Sequence, residues 1–139
     1  MSQHLILWPL LLQITLTILM YIRLAMVKAK EIQAGNVDLV ATAANQEAWP
    51  ASVRLINSNL RNQFETPVLF YVLCIVLLAL RSVSSTAIIV AFVWSGSRFL
   101  HAFVHTSSNN VKLRLPLFLV GIVSILILLV LSFKALAAL

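Results

Sequence analysis

Four ionisable side chains stand out in a chain otherwise poor in them: Glu65, Arg98, His101 and His105. Arg98, His101 and His105 follow i, i+3, i+7 spacing, which puts them on one face if that stretch is helical. Asn62 precedes Glu65 by three residues, again one face of a helix. If the two helices are antiparallel neighbours, these five residues meet in one polar pocket. Several chemistries fit such a set. An Arg98–Glu65 ion pair could simply lock a bundle. His101 and His105 at i, i+4 could bind a metal, but there is no HExxH motif, Glu65 is the one carboxylate at matching depth, and the nearby arginines disfavour a cation. We therefore expect no metal. A proton path through Glu65 and His101 would need ionisable groups further along, and only Cys74 and Tyr71 are available. An arginine-rich pocket also suits an anionic ligand.

The elements that must position these residues follow from composition. Of 139 residues, 61% are hydrophobic and only 10% charged. A soluble domain carries roughly 25% charged residues. A soluble fold, a disordered chain and a disulfide scaffold are thereby excluded, the last also because Cys74 has no partner cysteine. Four runs approach the length of about 20 apolar residues that a helix needs to cross a bilayer. Residues 5–22, 66–80, 82–97 and 115–133 are free of charge over 18, 15, 16 and 19 residues. They lack the strict alternation of a lipid-facing barrel strand, so they are expected to be helices. The first run has no basic residue before it and no small-residue cleavage site before Arg23, so it is expected to be a retained helix rather than a signal peptide. The expected fold is an all-α membrane protein, one domain over residues 1–139, with four transmembrane helices in an up-down bundle. Helices are expected at about 4–27, 59–81, 85–106 and 114–137. A loop joins the first two across residues 28–58, and Pro50 is expected to begin the helix that becomes the second span.

Positive charge gives the expected orientation. Arg23, Lys28, Lys30, Arg54 and Arg61 surround the first loop, and Lys112 and Arg114 occupy the third connection. The opposite side has Arg81 and Lys134. Both termini are expected to be non-cytoplasmic, in a bacterial inner membrane or one of endoplasmic-reticulum type. The net charge of +6 suits an anionic inner leaflet, and no basic run interleaved with aromatics suggests nucleic acid. With Arg81 at the outer interface, a rise of 1.5 Å per residue over a core of about 30 Å puts the inner interface near Arg61. The short turn at 81–85 forces an antiparallel hairpin in which residues of equal depth have numbers summing to about 166. Glu65 is then level with His101 and Arg61 with His105, while Arg98 lies one turn deeper within reach of Glu65. Trp8, Trp49 and Tyr21 are expected as interface anchors. Gly96 and Gly121 are expected to permit close helix contact.

With these residues placed, the chain resembles the MAPEG superfamily, the membrane-associated proteins of eicosanoid and glutathione metabolism. Arg61-Asn62-Gln63-Phe64-Glu65 looks like the family's Asn-x-x-Glu at the start of helix 2, with the preceding Arg of its prostaglandin synthase branch. Arg98-Phe99-Leu100-His101 looks like its Arg-x-x-His of helix 3, and Tyr21-Ile22-Arg23-Leu24 resembles the end of helix 1. Arg114, nine residues after His105, is spaced like the family's thiol-activating Arg. Two positions depart from the pattern: His105 stands where the family commonly has Tyr, and Phe118 replaces an aromatic hydroxyl.

The resemblance implies a homotrimer holding glutathione between subunits at the cytoplasmic side. It assigns Arg114 as the catalytic residue, stabilising the thiolate. Arg23, Arg61, Asn62, Glu65, Arg98, His101 and His105 become the residues that bind glutathione as co-substrate. Arginines would grip its carboxylates, Glu65 its ammonium, and Asn62 and the histidines would add hydrogen bonds. The implied activity is a glutathione-dependent transferase or peroxidase on lipophilic electrophiles that arrive from membrane lipid. The rival expectation is a non-enzymatic membrane protein whose Arg/Glu/His cluster binds anionic lipid or stabilises an assembly.

Overall fold

The computed structural model describes residues 2–139 and is helical, with no strand among them. A 3-10 turn at Gln3–Ile6 leads into α1 (Leu7–Gln33). The first loop holds α2 (Leu39–Ala44), a 3-10 turn at Gln46–Ala48 and α3 (Ala51–Asn62). Then follow α4 (Thr66–Ala79), α5 (Ser85–Thr106) and α6 (Val111–Ala137). Four stretches are long and apolar enough to cross a membrane: Gln3–Gln33, Ala51–Ala79, Ser85–Thr106 and Val111–Ala137.

Side-chain caps start the helices where the sequence supplies them. Asp38 accepts from the amides of Val40 and Ala41, Ser84 from Ala87, and Asn110 from Lys112. Pro50 sits just before α3 rather than within its first turn. Gly35, at φ +74°, ends α1: its amide bonds the carbonyl of Ile32 while the amide of Asn36 bonds that of Glu31.

The expected 28–58 loop is shorter than the sequence suggested, because α1 continues to Gln33 and α3 begins at Ala51. Charged Arg54 and Arg61 hide α3 from a search for apolar runs. Its buried Val53, Ile56 and Leu60 nevertheless follow helical spacing and pack on Leu16, Met20 and Leu24 of α1. The connection folds back on α1, where Lys28 Nζ lies 4.5 Å from the Trp49 ring centre and Glu31 accepts a 2.6 Å hydrogen bond from Ser52.

The second span is broken at residues 63–65 instead of running unbroken from 59 to 81. Pro67 causes the break. It has no N–H for the carbonyl of Gln63, and its ring crowds that carbonyl. Two apolar clusters result. One, toward the end holding both chain termini, joins Ile6, Phe70, Cys74, Leu77, Trp94 and Leu128; the other lies between α1, α3 and α5. The break falls between them. α5 packs most extensively along α6, and α4 also lies against α6. α4 meets α5 through Phe70 and Trp94, stacked 3.8 Å apart. Gly121 fits beside Trp94 and Ser97, whereas Gly96 faces open space, so the expected close contact is made at Gly121 alone within one chain.

Candidate functional site

The helix break, α5 and the start of α6 enclose a cavity of about 270 Å³ lined by Asn62, Glu65, His101, Val111, Arg114, Leu115 and Phe118. Glu65 and His101 thus share a wall, as the hairpin register requires. Asn62 ends α3 and Glu65 precedes α4, so the two reach the cavity from either side of the break rather than from one continuous helical face. Glu65 is exposed and Asn62 half-buried, while only 2% of His101 is accessible and its Nδ1 has no partner.

Arg98 lies behind this wall, 1% exposed. Its Nη2 donates a long 3.5 Å hydrogen bond to the carbonyl of Asn62, one of the acceptors left free where α3 ends. Its Nε has no partner. The alternative of an Arg98–Glu65 ion pair that locks the bundle is not realised: no carboxylate oxygen lies within 4.0 Å of Arg98, and the ion pair among the described residues is Arg54–Glu47, at the surface. The buried guanidinium thus keeps at least one donor, Nε, that no protein group uses.

Arg114 lines this cavity and a second one of about 280 Å³, with Ala51, Arg54, Leu55, Ser58, His105 and Asn109. Its Nη1 donates to Asn109 Oδ1 at 2.6 Å, which holds the guanidinium at the boundary between them. Two expected ligands stand elsewhere. Arg23 donates to Thr106 Oγ1 at 2.6 Å and to the Thr106 carbonyl at 3.0 Å, capping the end of α5. Arg61 is exposed and lines a separate surface hollow with Gln46, Glu47, Arg54, Asn57 and Ser58. The register that put Arg61 opposite His105 is therefore corrected: Asn59 takes that place, because Arg61 lies on the outward face of α3. Among the described residues no three His, Cys, Asp or Glu side chains converge as a metal site.

The sequence reasoning missed one feature. Gln13 Nε2 donates to Gln63 Oε1 at 2.5 Å, and Gln63 Nε2 to Asn59 Oδ1 at 3.1 Å. Asn59 Nδ2 lies 3.3 Å from His105 Nδ1. All four side chains are at most 2% exposed. The available signal was Gln13, a lone carboxamide in the middle of an otherwise apolar span, which is costly unless it has a partner in the protein interior.

A model of the MAPEG family matches residues 5–134, nearly the whole chain. No curated protein and no solved structure matches it.

Proposed function

Because the chain belongs to the MAPEG family, we propose that this integral membrane protein binds glutathione and transfers it to, or uses it to reduce, lipophilic compounds. The observation that carries the proposal is the cavity shared by Asn62, Glu65, His101 and Arg114, with the buried guanidinium of Arg98, its Nε without a partner, behind it. Glutathione offers two carboxylates, an ammonium and a thiol. Arg98 and Arg114 complement anions, Glu65 complements the ammonium, and Asn62 and His101 supply neutral hydrogen bonds.

Arg114 is the residue proposed to act on the thiol. A guanidinium beside the sulfur favours the thiolate, which is the nucleophile. In conjugation the thiolate forms a carbon–sulfur bond and the electrophile's leaving group departs, or its strained ring opens and takes up a proton. In peroxide reduction the thiolate attacks one peroxide oxygen and the O–O bond breaks. The hydroxyl oxygen stays on sulfur as the sulfenic acid, the alkoxide takes up a proton and leaves as the alcohol, and a second glutathione thiol condenses with the sulfenic acid to give the disulfide and water. The lipophilic partner has an approach from the bilayer. An apolar groove of about 390 Å³ between α5 and α6 runs along Val93, Pro116, Leu119, Val120 and Val123, starting two residues beyond Arg114. The glutathione cavity is open to the surface of a single chain, which suits completion by a neighbouring copy in a homotrimer. The basic connections would face the cytoplasm.

Arg114→Ala tests the assignment. At the ordinary thiol pKa near 8.5 about 3% of glutathione is thiolate at pH 7, and lowering that pKa by two units would raise the fraction to about 75%. Turnover with an excess of a lipophilic electrophile should therefore fall about 25-fold in the variant, while glutathione affinity measured by calorimetry at pH 7 should fall only about fourfold, the loss that the same pKa shift entails by linkage. Unchanged turnover would remove Arg114 from the mechanism. A wild-type protein that binds anionic lipid but no glutathione would favour the lipid-binding rival.

A further inference from the structure

Four buried side chains from α1, the α3–α4 break, α3 and α5 form a single file: Gln13, Gln63, Asn59 and His105. The file has a direction. Gln13 donates to the carbonyl oxygen of Gln63, and Gln63 donates to that of Asn59. Asn59 has then committed its oxygen and presents its NH₂ group to His105 Nδ1. The reverse polarity would strand the NH₂ group of Gln13 in a dry interior, whereas the observed one leaves only its carbonyl oxygen without a partner. Unpaired buried N–H groups are the rarer and costlier case.

A neutral imidazole has one donor nitrogen and one acceptor. With an NH₂ donor aimed at Nδ1, that nitrogen must accept, and the ring proton resides on Nε2. Nδ1 being taken, Nε2 is the nitrogen left for the cavity that His105 lines with Arg54, Ser58 and Arg114. That wall then offers an N–H beside the Arg114 guanidinium, with Arg54 already paired to Glu47, and two such donors suit an anionic group of the ligand. Amides are well suited to the task because they orient a ring without carrying charge at membrane depth.

We infer that Gln13, Gln63 and Asn59 are positioning residues that hold His105 as its Nε2–H tautomer, so that His105 donates a hydrogen bond to an anionic group of the thiol co-substrate beside Arg114. The tautomer follows from the geometry alone; its use in binding rests on the proposed glutathione function. No residue of the file other than His105 needs to touch the ligand.

The experiment is ring-nitrogen NMR of the full-length protein in nanodiscs, with ¹⁵N-labelled histidine and His105 assigned by the loss of its signals in His105→Phe. The expected wild-type spectrum has a pyridine-like Nδ1 and a pyrrole-like Nε2. A protonated Nδ1 in the wild type would overturn the inference without any variant. Asn59→Asp replaces the donor facing the ring with acceptors only, so Nδ1 should gain a proton, and glutathione affinity should fall about three- to tenfold. Gln63→Leu, which frees the Asn59 amide to turn, should give a mixture of tautomers if the aspartate variant does not fold. Variants that leave the ring unchanged, or that shift it with no change in affinity, would overturn the positioning role. If the wild type binds no glutathione, the proposed function fails, while the nitrogen spectrum still decides whether the file sets the tautomer.

Discussion

Replacing Arg98 with Met is expected to stabilise the empty protein while weakening its response to ligand. The arginine is 1% exposed, makes one hydrogen bond of 3.5 Å and leaves Nε without a partner. No carboxylate within 4.0 Å neutralises it. An unpaired buried donor costs about 1–3 kcal/mol, and an apolar residue of similar volume in place of a buried charge is often stabilising by about 1–4 kcal/mol. Methionine fills the channel of the arginine stem, and loss of the bond to the Asn62 carbonyl returns about 1 kcal/mol. The net gain is about 0–3 kcal/mol, or a rise in melting midpoint of up to roughly 10 °C for a chain of this length. The assay is a thermal melt followed by circular dichroism in detergent micelles, with and without glutathione. Ligand at 100 times its Kd should add about 2.7 kcal/mol to the wild type, and the same ligand concentration should add far less to the variant. A variant that melts several degrees below the wild type without ligand would refute the reasoning, since it would mean that Arg98 already has a stabilising counterpart.

Three further outcomes follow from individual residues. Glu65→Gln should weaken glutathione about tenfold by calorimetry but leave an analogue lacking the α-amino group nearly unaffected, because a charge-assisted bond contributes about 1.5–3 kcal/mol; equal losses for both ligands would remove Glu65 from the ammonium site. Gly35→Ala forces a side chain onto a φ of +74° at the end of α1 and should cost about 1 kcal/mol in a thermal melt, with catalysis per folded molecule unchanged. Gly121→Ala should be nearly neutral, since the added carbon would lie 3.7 Å from Trp94 and Ser97. Gly121→Leu, by contrast, should destabilise the α5–α6 contact by about 1–3 kcal/mol in the same melt.

Much of the arrangement was legible because a bilayer imposes length and hydropathy with little ambiguity. Each of the four uncharged runs falls on one of the four membrane-length stretches, two of them overrunning an end by one and three residues, and a five-residue turn was enough to set Glu65 level with His101. The misses share a physical cause: polar side chains have several ways to be satisfied, and spacing alone does not choose among them. Arg23 is consumed by the end of α5, where free carbonyls attract a guanidinium. Arg61 faces outward because Asn59 and Leu60 occupy the buried face of α3. The break at 63–65 had its signal in Thr66-Pro67, but an apolar run reads as one helix unless proline is given its steric weight. Gln13 carries no charge and so does not interrupt an uncharged run, although an amide in mid-span needs a partner almost as urgently. His105 could be placed on the face of Arg98 and His101 from spacing, whereas the orientation of its ring depends on residues from three other segments.

The proposed function requires that this site bind a thiol and ionise it. The most direct measurement is a titration of purified protein with glutathione near neutral pH, following the ultraviolet absorbance of the thiolate, with Arg114→Ala alongside. The account predicts saturable thiolate formation in the wild type that disappears in the variant. No saturable signal in the wild type, or an equal signal in the variant, would contradict it.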